Sequence, residues 1–395
     1  MTVRQMLRQL LAHGVEVKIL GATIFDHQRG TTFLQPHWAT IQDNVDQAIN
    51  LEDGPLQHQT VITASIRREL MTAGEEASWF ALYLAALNEF KPDAVYFYGA
   101  DALELLVASE ARARGIPNIF YLANGNYKGG RWCRDVDLLL TNSKASADMY
   151  ARTQGYAVTP LGAFIDPARV VPELHSRTRI LFVNPSLEKG VGIVIMLALL
   201  LEKRRPDIVF EVVESRGEWG STLRQFSKGL GKERDSLSNV VVTANTLDMR
   251  PVYGRARLLL APSLWWEGFG RVVVEATLNG IPVLASNRGG LPEAKGDAGF
   301  ALNLPPRCYE QPYTHLPTEE GLNALIDRVI LRLYDDEAFY ADQVARAYRV
   351  AQTQHDLQAS TQRLLRAIEP LLAQRAGDRD SRAVLQALHK QGLPA

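Results

Sequence analysis

Two glutamates separated by seven residues flank a glycine-rich turn in the second half of the chain. Glu267 comes directly before Gly268-Phe-Gly270, and Glu275 lies in the apolar run that follows. A carboxylate accepts hydrogen bonds from two neighbouring hydroxyls, so each glutamate can bind a sugar diol. On a continuous helix the two would lie about 12 Å apart, too far for the paired carboxylates of a glycosidase.

The alternative interpretation makes both glutamates ordinary surface carboxylates of a helix. Glu275 has apolar neighbours on both sides, residues 272–274 and Ala276. These neighbours predict a partly buried side chain, and a buried carboxylate requires hydrogen-bond partners. The spacing alone leaves both interpretations open.

Gly268 and Gly270 bracket the start of a helix that we predict to begin near Phe269. Backbone amides there can approach a ligand closely, because glycine has no side chain in the way. The unpaired amides of a helix start and the helix dipole favour an anion. A pyrophosphate is the obvious candidate.

The elements that position these residues form an α/β pattern with a mostly parallel sheet. The pattern restarts near residue 178, and residues 167–177, which contain two prolines, are predicted to be a linker. The predicted strands are residues 15–20, 94–98, 118–122, 138–141, 179–183, 208–213, 239–243, 258–261 and 282–285. The predicted helices are residues 77–89, 102–114 and 191–203.

A known family has a similar passage. The segments Pro262-Ser, Glu267-Gly-Phe-Gly-Arg-Val-Val-Val-Glu275-Ala, Gly280-Ile-Pro-Val and Gly289-Gly, followed by Glu293, resemble the donor-site signature of retaining glycosyltransferases of GT-B fold, family 4. The resemblance implies an α/β chain of GT-B fold, with two Rossmann-like domains facing across a cleft. Relatives open with a strand and a glycine loop before their first helix, whereas this sequence starts at what resembles that helix. We therefore expect the N-terminal domain to lack its first strand.

The resemblance also implies a division of the chain. We predict an acceptor-side Rossmann-like domain at residues 1–168 and a nucleotide-sugar donor domain at residues 178–350. A helix at residues 351–375 is expected to cross back to the N-terminal domain, and residues 376–395 are expected to be a tail.

The family's residue roles can be transferred position by position. Glu267 would contact hydroxyls of the transferred sugar, and Glu275 would hold the ribose diol. The amides of four residues would meet the donor phosphates and sugar: Gly268, Phe269, Gly270 and Arg271. Lys189, in the loop after strand 179–183, would neutralise the departing pyrophosphate, a role that a metal plays in other enzymes; its alternative is a solvated loop lysine.

Two further segments resemble the family less closely. The family often has Gly-Arg where this chain has Asn184-Pro185, so Arg271 or Arg288 would replace the second phosphate-binding cation. Residues 214–217 and 245–249, the latter including Thr246 and Leu247, would form the walls of the base site.

Asn124 aligns with a position that often carries a histidine near the reacting centre of relatives. An amide can donate a hydrogen bond but cannot act as a base. The alternative for Asn124-Gly125 is a simple turn, and the two interpretations have equal weight. Trp265-Trp266 stacks on a sugar ring in one interpretation and fills space between layers in the other.

The expected reaction moves a sugar from a nucleotide-diphosphate donor to the hydroxyl of a glycan, lipid-linked or small-molecule acceptor. No Asp-x-Asp pair stands in a loop suited to a metal, so we expect neither metal nor cofactor. The alternatives are a non-catalytic nucleotide-sugar or glycan-binding module with a degenerate N-terminal domain, and a related phosphorylase or epimerase.

Composition limits the other classes of function. The 395 residues carry a net charge of −1, so the chain lacks the basic excess of a nucleic-acid-binding protein. Two cysteines without metal-type spacing indicate a reducing cytoplasm. The amphipathic start of the chain would touch the inner face of a membrane if the acceptor were lipid-linked, although a helix facing the core is the preferred interpretation.

Overall fold

The computed structural model describes residues 2–25 and 38–375, which fold into two compact units. The predicted tail at 376–395 lies outside the described residues. The first unit comprises the described residues of Met1–Leu122, Tyr127–Leu140 and Thr361–Ala395. The second comprises Ala123–Asn126 and Thr141–Ser360. The domain ranges expected from the sequence stay predictions.

The first unit contains four helices and six strands among its described residues, together with most of the last helix of the chain. The helices are α1 (Thr2–Ala12), α2 (Trp38–Gln42), α3 (Ala73–Glu89) and α4 (Ala102–Ala113). The strands are β1 (Ile19–Ala22), β2 (Ala48–Asp53), β3 (Leu56–Val61), β4 (Val95–Phe97), β5 (Asn118–Leu122) and β6 (Leu138–Thr141). The last helix is α14 (Leu357–Arg375).

Two of the predicted strands of this unit, β5 and β6, have the predicted bounds. The prediction of a strand at residues 15–20 was wrong by several positions. The paired stretch begins only at Ile19, which lies opposite His58 of β3. Glu16 and Lys18, charged and exposed, precede it.

An antiparallel hairpin of β2 and β3 was missed by the sequence reasoning. Its strands pair from Ala48 opposite Val61 to Asp53 opposite Leu56. Gly54 has a positive φ of 59°, which the tight turn requires. The Asp-Gly pair at this turn is the sequence signal that was available.

The N-terminal helix α1 packs on this hairpin. Arg8 donates to Asp53 Oδ1 at 2.7 Å, and Arg4 pairs with the same carboxylate. Met6 is buried. The charged side of α1 is therefore bound within the first unit, as the interpretation of a helix facing the core predicts.

The second unit is built around a six-stranded sheet. The sheet consists of β8 (Arg179–Val183), β9 (Val209–Val213), β10 (Val240–Thr243), β11 (Ala256–Ala261), β12 (Val283–Ser286) and β13 (Gly299–Leu302). A further strand of this unit, β7 (Val158–Pro160), lies outside that sheet. The helices that precede α14 are α5 (Lys144–Gln154), α6 (Val191–Arg204), α7 (Trp219–Gly229), α8 (Arg250–Arg255), α9 (Arg271–Leu278), α10 (Leu291–Lys295), α11 (Glu319–Leu325), α12 (Leu331–Asp335) and α13 (Glu337–Gln354).

The strand order of the sheet is β10-β9-β8-β11-β12-β13, and every pair is parallel. Because the carboxyl ends of parallel strands share one edge, the loops after β8, β9, β10, β11 and β12 meet there. The strand predicted at 179–183 is confirmed, and the other predicted strands of this sheet are confirmed within two residues. The alternation of elements therefore located the edge that carries the candidate site.

Two adjacent loops at this edge approach each other closely. Gly190, which begins α6, has a φ of 79°, and a Cβ there would lie 2.2 Å from the carbonyl oxygen of Pro262. A glycine is required at this position for both reasons. The loop after β8 is thus held against the loop after β11.

The segment predicted to be a linker, residues 167–177, is bonded to the second unit. Val170 is buried and its carbonyl accepts a hydrogen bond from Asn279 Nδ2 at 3.1 Å. The backbone of Ser176 donates to the carbonyl of Gly254 at 2.7 Å. The segment is therefore fixed along α8 and the end of α9.

Candidate functional site

Glu267 is held between two hydrogen-bond donors. The hydroxyl of Ser263, which follows β11, donates to Glu267 Oε1 at 2.5 Å. The ammonium of Lys189, from the short turn after β8, pairs with the same oxygen. The carboxylate is largely buried, with 12% of its side-chain surface exposed. The structure thus brings together Lys189 and Glu267, which the sequence separates by 78 positions.

Backbone hydrogen bonds fix this arrangement. The amides of Leu264 and Trp265 both donate to the carbonyl of Glu188, at 2.8 and 3.3 Å. The Nζ of Lys189 lies 5.0 Å from the centre of the Trp265 ring, a cation–π contact. Lys189 is therefore not a solvated loop lysine, since its side chain is held from two sides.

The second tryptophan of the pair contacts the loop after β5. A Cβ at Gly125 would lie 3.2 Å from Trp266 Cδ1. The indole nitrogens of Trp265 and Trp266 are buried and have no hydrogen-bond partner among the described residues. Both side chains are half-buried, and stacking of either ring on a sugar stays a prediction.

The turn Gly289-Gly290 after β12 packs on the backbone of Glu267. The amide of Gly290 donates to the carbonyl of Glu267 at 2.8 Å. Gly289 has a φ of 56°, and a Cβ there would lie 2.0 Å from the same carbonyl oxygen. Only glycine fits at position 289. The turn therefore holds the backbone of Glu267 in place.

Glu275 is buried, with 6% of its surface exposed, which excludes the interpretation as a surface carboxylate. The hydroxyl of Tyr253 donates to Oε2 and Nε of Arg271 donates to Oε1, each at 2.5 Å. Burial raises the pKa of Tyr253 well above its ordinary value, and the neighbouring charge of Glu275 is the second cause. This hydroxyl therefore keeps its proton.

The helix that carries Glu275 begins later than predicted. Helix α9 starts at Arg271, two residues beyond Phe269, because Gly270 has a left-handed φ of 96°. Glu267 therefore stands in the preceding loop, and the helical spacing of about 12 Å does not apply to the two glutamates. Phe269 is a core residue whose ring meets His355 edge-on, so only its backbone is available to a ligand.

The carbonyl of Gly268 is bound by the start of α5. The hydroxyls of Ser143 and Ser146 donate to it, at 2.5 and 3.0 Å. Glu293 accepts hydrogen bonds from the amides of Lys144 and Ala145, at 3.0 and 2.9 Å. These contacts, which the sequence reasoning did not find, fix the glycine-rich loop against α5 within the second unit.

Asn124 lies in a turn that is part of the second unit. Its Oδ1 accepts a hydrogen bond from the amide of Asn126 at 3.0 Å, and its carbonyl accepts one from the hydroxyl of Tyr150 at 2.5 Å. The first contact is the Asx turn that Asn-Gly favours. The structure thus shows the turn that was the alternative for Asn124-Gly125. A catalytic role of Asn124 stays a prediction.

The predicted phosphate and base residues follow β8, β9 and β10. Asn184 adopts a φ of 68°, and its Oδ1 accepts the amide of Gly217 at 3.0 Å, which links two of these loops. The Thr246 hydroxyl accepts the amide of Asp248 at 3.1 Å, and Leu247 is 79% exposed. The structure thus places these residues on the sheet edge that carries Glu267, with an exposed apolar side chain among them.

The described residues contain no group of three or more His, Cys, Asp or Glu side chains that could hold a metal ion. None of the helices in residues 2–25 and 38–375 is long and apolar enough to cross a membrane.

Comparison with known proteins bears on this edge of the sheet. Residues 169–306 match the family model described as Glycosyl transferases group 1. This segment is similar to a glycosyl transferases group 1 domain. It contains Lys189, Glu267 and Glu275, so the residues assembled at the sheet edge are those of the matched domain.

A curated relative is the MMP alpha-(1->4)-mannosyltransferase of Mycolicibacterium hassiacum. It is 31% identical over 185 residues, which are 44% of this chain and 43% of the relative. The chain spans less than half the length of the curated relatives it matches.

Two solved structures resemble most of the chain. The sucrose-phosphate synthase tll1590 of Thermosynechococcus elongatus has a TM-score of 0.66 at 17% identity, covering 94% of this chain and 92% of its own. Anabaena Alr3699/HepE, solved in complex with UDP and glucose, has a TM-score of 0.58 at 18% identity, covering 90% and 100%. These neighbours show that the chain has a GT-B fold, as the resemblance implied.

Proposed function

We propose that the protein is a retaining glycosyltransferase that moves a sugar from a nucleoside-diphosphate donor to an acceptor hydroxyl. The observation that carries the proposal is the pair of Lys189 and Glu267. A cation suited to a diphosphate stands there against a carboxylate suited to sugar hydroxyls. The match to the glycosyl transferases group 1 family over residues 169–306 supports it.

In this proposal the donor occupies the sheet edge of the second unit. Glu275 accepts hydrogen bonds from the ribose hydroxyls, and the amides at the start of α9 meet the diphosphate. Thr246 and the exposed Leu247 line the base site. Two similar proteins, a mannosyltransferase and a protein solved with bound UDP and glucose, support a nucleotide sugar as the donor.

The proposed chemical step breaks the bond between C1 of the donor sugar and the phosphate oxygen. The bonding electron pair stays on the diphosphate, whose charge Lys189 stabilises. The acceptor oxygen attacks C1 from the same face, and its proton passes to the leaving phosphate oxygen. Glu267 holds hydroxyls of the sugar while C1 becomes positively charged, and Lys189 takes the place of a metal ion.

We propose that the acceptor contributes a hydroxyl of a glycan, a lipid-linked sugar or a small molecule, and that it binds to the first unit. The loop that follows β3 carries the half-buried hydroxyl of Ser65, and the loop that follows β4 carries the exposed hydroxyl of Tyr98. Such groups suit the recognition of hydroxylated ligands.

The test begins with a thermal-shift screen of UDP-, GDP-, ADP-, CDP- and dTDP-sugars, because a bound ligand raises the melting temperature. The donor with the largest shift is then assayed with candidate acceptors in the presence of EDTA, and the anomeric configuration of the product is read by NMR. We expect transfer with retention and without added metal. A product of inverted configuration contradicts retention, and loss of turnover in EDTA contradicts metal independence.

Two outcomes would overturn the proposal as a whole. The first is that no nucleotide sugar binds. The second is donor binding without hydrolysis or transfer in the full chain, which favours the non-catalytic alternative.

A further inference from the structure

Tyr98 is an exposed aromatic side chain that directly follows β4, with 63% of its surface open to solvent. Among the described residues one other aromatic side chain is exposed, Tyr348 at 37%. The ring of Tyr348 lies so close to Gly280 that a Cβ there would clash with it, and its hydroxyl accepts a hydrogen bond from Arg177 at 3.2 Å. Tyr348 thus covers the backbone of its own unit, whereas most of the surface of Tyr98 is available to a ligand.

The backbone that carries Tyr98 is fixed on both sides. The ring of Phe97, the residue before it, meets Phe120 edge-on, with ring centres 5.2 Å apart. Phe120 packs in turn on Trp132, with ring centres 4.6 Å apart. On the other side, Gly99 has a φ of 109°, and a Cβ there would lie 2.9 Å from Cδ of Glu104. The exposed ring therefore stands on a rigid turn, which lowers the entropy cost of binding a ligand.

Charged groups of two neighbouring loops surround this turn. Glu104 Oε2 accepts the amide of the exposed Asp101 at 3.1 Å. Arg68, from the loop after β3, donates to Glu76 Oε1 at 2.7 Å. Burial alone would lower the pKa of Arg68, but its bond to Glu76 and the charges of Glu104 and Asp101 raise it. The loop after β3 and the turn after β4 are therefore close enough for their charges to interact.

An exposed aromatic ring next to carboxylates suits a sugar. The ring can stack on the C–H groups of a pyranose face, and a carboxylate accepts hydrogen bonds from the hydroxyls at its rim. A ringless alcohol offers no face for stacking. A lipid chain requires a continuous apolar surface, whereas the turn after Tyr98 carries the charged Asp101 and Glu104.

We propose that Tyr98 and Asp101 bind a sugar ring of the acceptor, Tyr98 by stacking and Asp101 by accepting hydrogen bonds from its hydroxyls. The inference rests on the proposed function and names the class of acceptor, a pyranoside. The position agrees with the general location of ligand sites in open α/β sheets, beyond the carboxyl ends of the strands.

The first test measures binding in the full chain and needs no turnover. Saturation-transfer NMR titrations give the Kd of a panel of methyl hexopyranosides and of glycerol. We expect the wild type to bind at least one glycoside more tightly than glycerol, and Tyr98→Ala to weaken that glycoside by about tenfold or more. Tyr98→Phe keeps the ring and should stay within about threefold of the wild type. Leu106→Ala is the matched control, because Leu106 of α4 is also exposed, at 54%, and it should leave the Kd unchanged.

The second test uses the best donor and separates acceptor binding from a structural role. Tyr98→Ala should raise the KM for the glycoside about tenfold and lower the ratio of transfer to donor hydrolysis by a similar factor. If transfer and hydrolysis fell together, Tyr98 would be a structural residue and the inference would be overturned. Tyr98→Gln also lacks the ring, so it repeats both tests if the alanine variant fails to fold.

Asp101 is tested by a variant that keeps its local structural role. Asp101 is the N-cap residue of α4, and asparagine caps a helix as well as aspartate does. Asp101→Asn should raise the KM for the glycoside about threefold or more, because a hydroxyl binds a charged acceptor more strongly than a neutral one. An unchanged KM would show that Asp101 does not bind the acceptor.

Failure of the proposed function gives a different result from failure of this inference. If the glycoside binds through Tyr98 but no nucleotide sugar is turned over, the proposed function is wrong and the sugar site stands. If transfer occurs and Tyr98→Ala keeps the wild-type Kd and KM, the inference alone is wrong. A wild-type chain that binds glycerol as tightly as every glycoside would overturn it too.

Discussion

The hydroxyl of Tyr253 donates a hydrogen bond to Oε2 of Glu275 across 2.5 Å inside the second unit. Tyr253 is fully buried and comes from α8, so it orients a carboxylate that another helix carries. We therefore expect Tyr253→Phe to weaken binding of the nucleoside diphosphate about tenfold, because a hydrogen bond to a charged group contributes about 1.5–3 kcal/mol. Titration calorimetry measures this change.

Tyr83→Phe is the control for this prediction. Tyr83 is a buried tyrosine of the first unit whose hydroxyl donates to the carbonyl of Val107 at 2.9 Å. Both variants should lower the free energy of unfolding in urea, and only Tyr253→Phe should affect nucleotide affinity. Equal affinity in the two variants would show that Tyr253 does not act through Glu275.

Lys189→Met should lower kcat by about 100-fold or more, because it removes the cation that stabilises the leaving diphosphate. Replacing the exposed Lys203 by Met removes the same charge in the last turn of α6, at the end of that helix away from the site, and should leave kcat unchanged. Steady-state kinetics with a saturating donor provide the comparison. A Lys189→Met variant with a wild-type kcat would remove Lys189 from the mechanism.

Gly289→Ala tests the packing that holds Glu267. The new Cβ would lie 2.0 Å from the carbonyl of Glu267, and the left-handed φ adds about 1–3 kcal/mol of strain. Gly231→Ala shares the positive φ, 82°, but has open space around it, so it carries the strain alone. Chemical denaturation should show the larger loss of stability for Gly289→Ala, and only this variant should lose activity.

Glu211 in β9 predicts a pH dependence of stability. Its side chain is 1% exposed, and it accepts hydrogen bonds from Arg255 at 2.6 Å and from Thr243 at 2.8 Å. Burial alone would raise the pKa of Glu211, but these bonds and the neighbouring arginines hold it below its ordinary value.

A carboxylate with a lowered pKa in the folded state stabilises the fold above its unfolded pKa, and this contribution is lost as the pH falls through the folded pKa. The loss should therefore set in below about pH 4.3, the ordinary value for Glu. Glu211→Gln should lower the free energy of unfolding at pH 7 by about 1–3 kcal/mol. The difference from wild type should shrink on acidification, as measured by urea unfolding between pH 3 and 7; a constant difference would contradict the assignment.

The parallel sheet of the second unit could be predicted from the sequence, because its strands are short apolar runs between helices. The alternation of strands and helices predicted that Lys189 and Glu267 each lie in a loop after a strand. Parallel strands bring such loops to one edge of the sheet. The start of α9 was predicted two residues early, since Gly270 ends the loop with a left-handed φ that the pattern alone does not reveal.

Contacts between distant segments could not be predicted in this way. Tyr253 gave no periodic signal that would join it to Glu275, and Glu293 gave none that would join it to the start of α5. The hairpin of β2 and β3 was missed although its Asp53-Gly54 turn is a strong local signal. Pairwise contacts of this kind depend on the packing of whole helices, which the sequence pattern does not specify.

The proposed donor site is tested most directly by separating the roles of its two glutamates, Glu267 for the transferred sugar and Glu275 for the ribose. Titration calorimetry and steady-state kinetics on Glu267→Gln and Glu275→Gln, with the best nucleotide sugar, separate affinity for the nucleotide from turnover. We predict that Glu275→Gln binds the nucleoside diphosphate about 10- to 100-fold more weakly, and that Glu267→Gln keeps this affinity while losing about 100-fold in kcat. Wild-type affinity and wild-type turnover in both variants would contradict the assignment of the donor site.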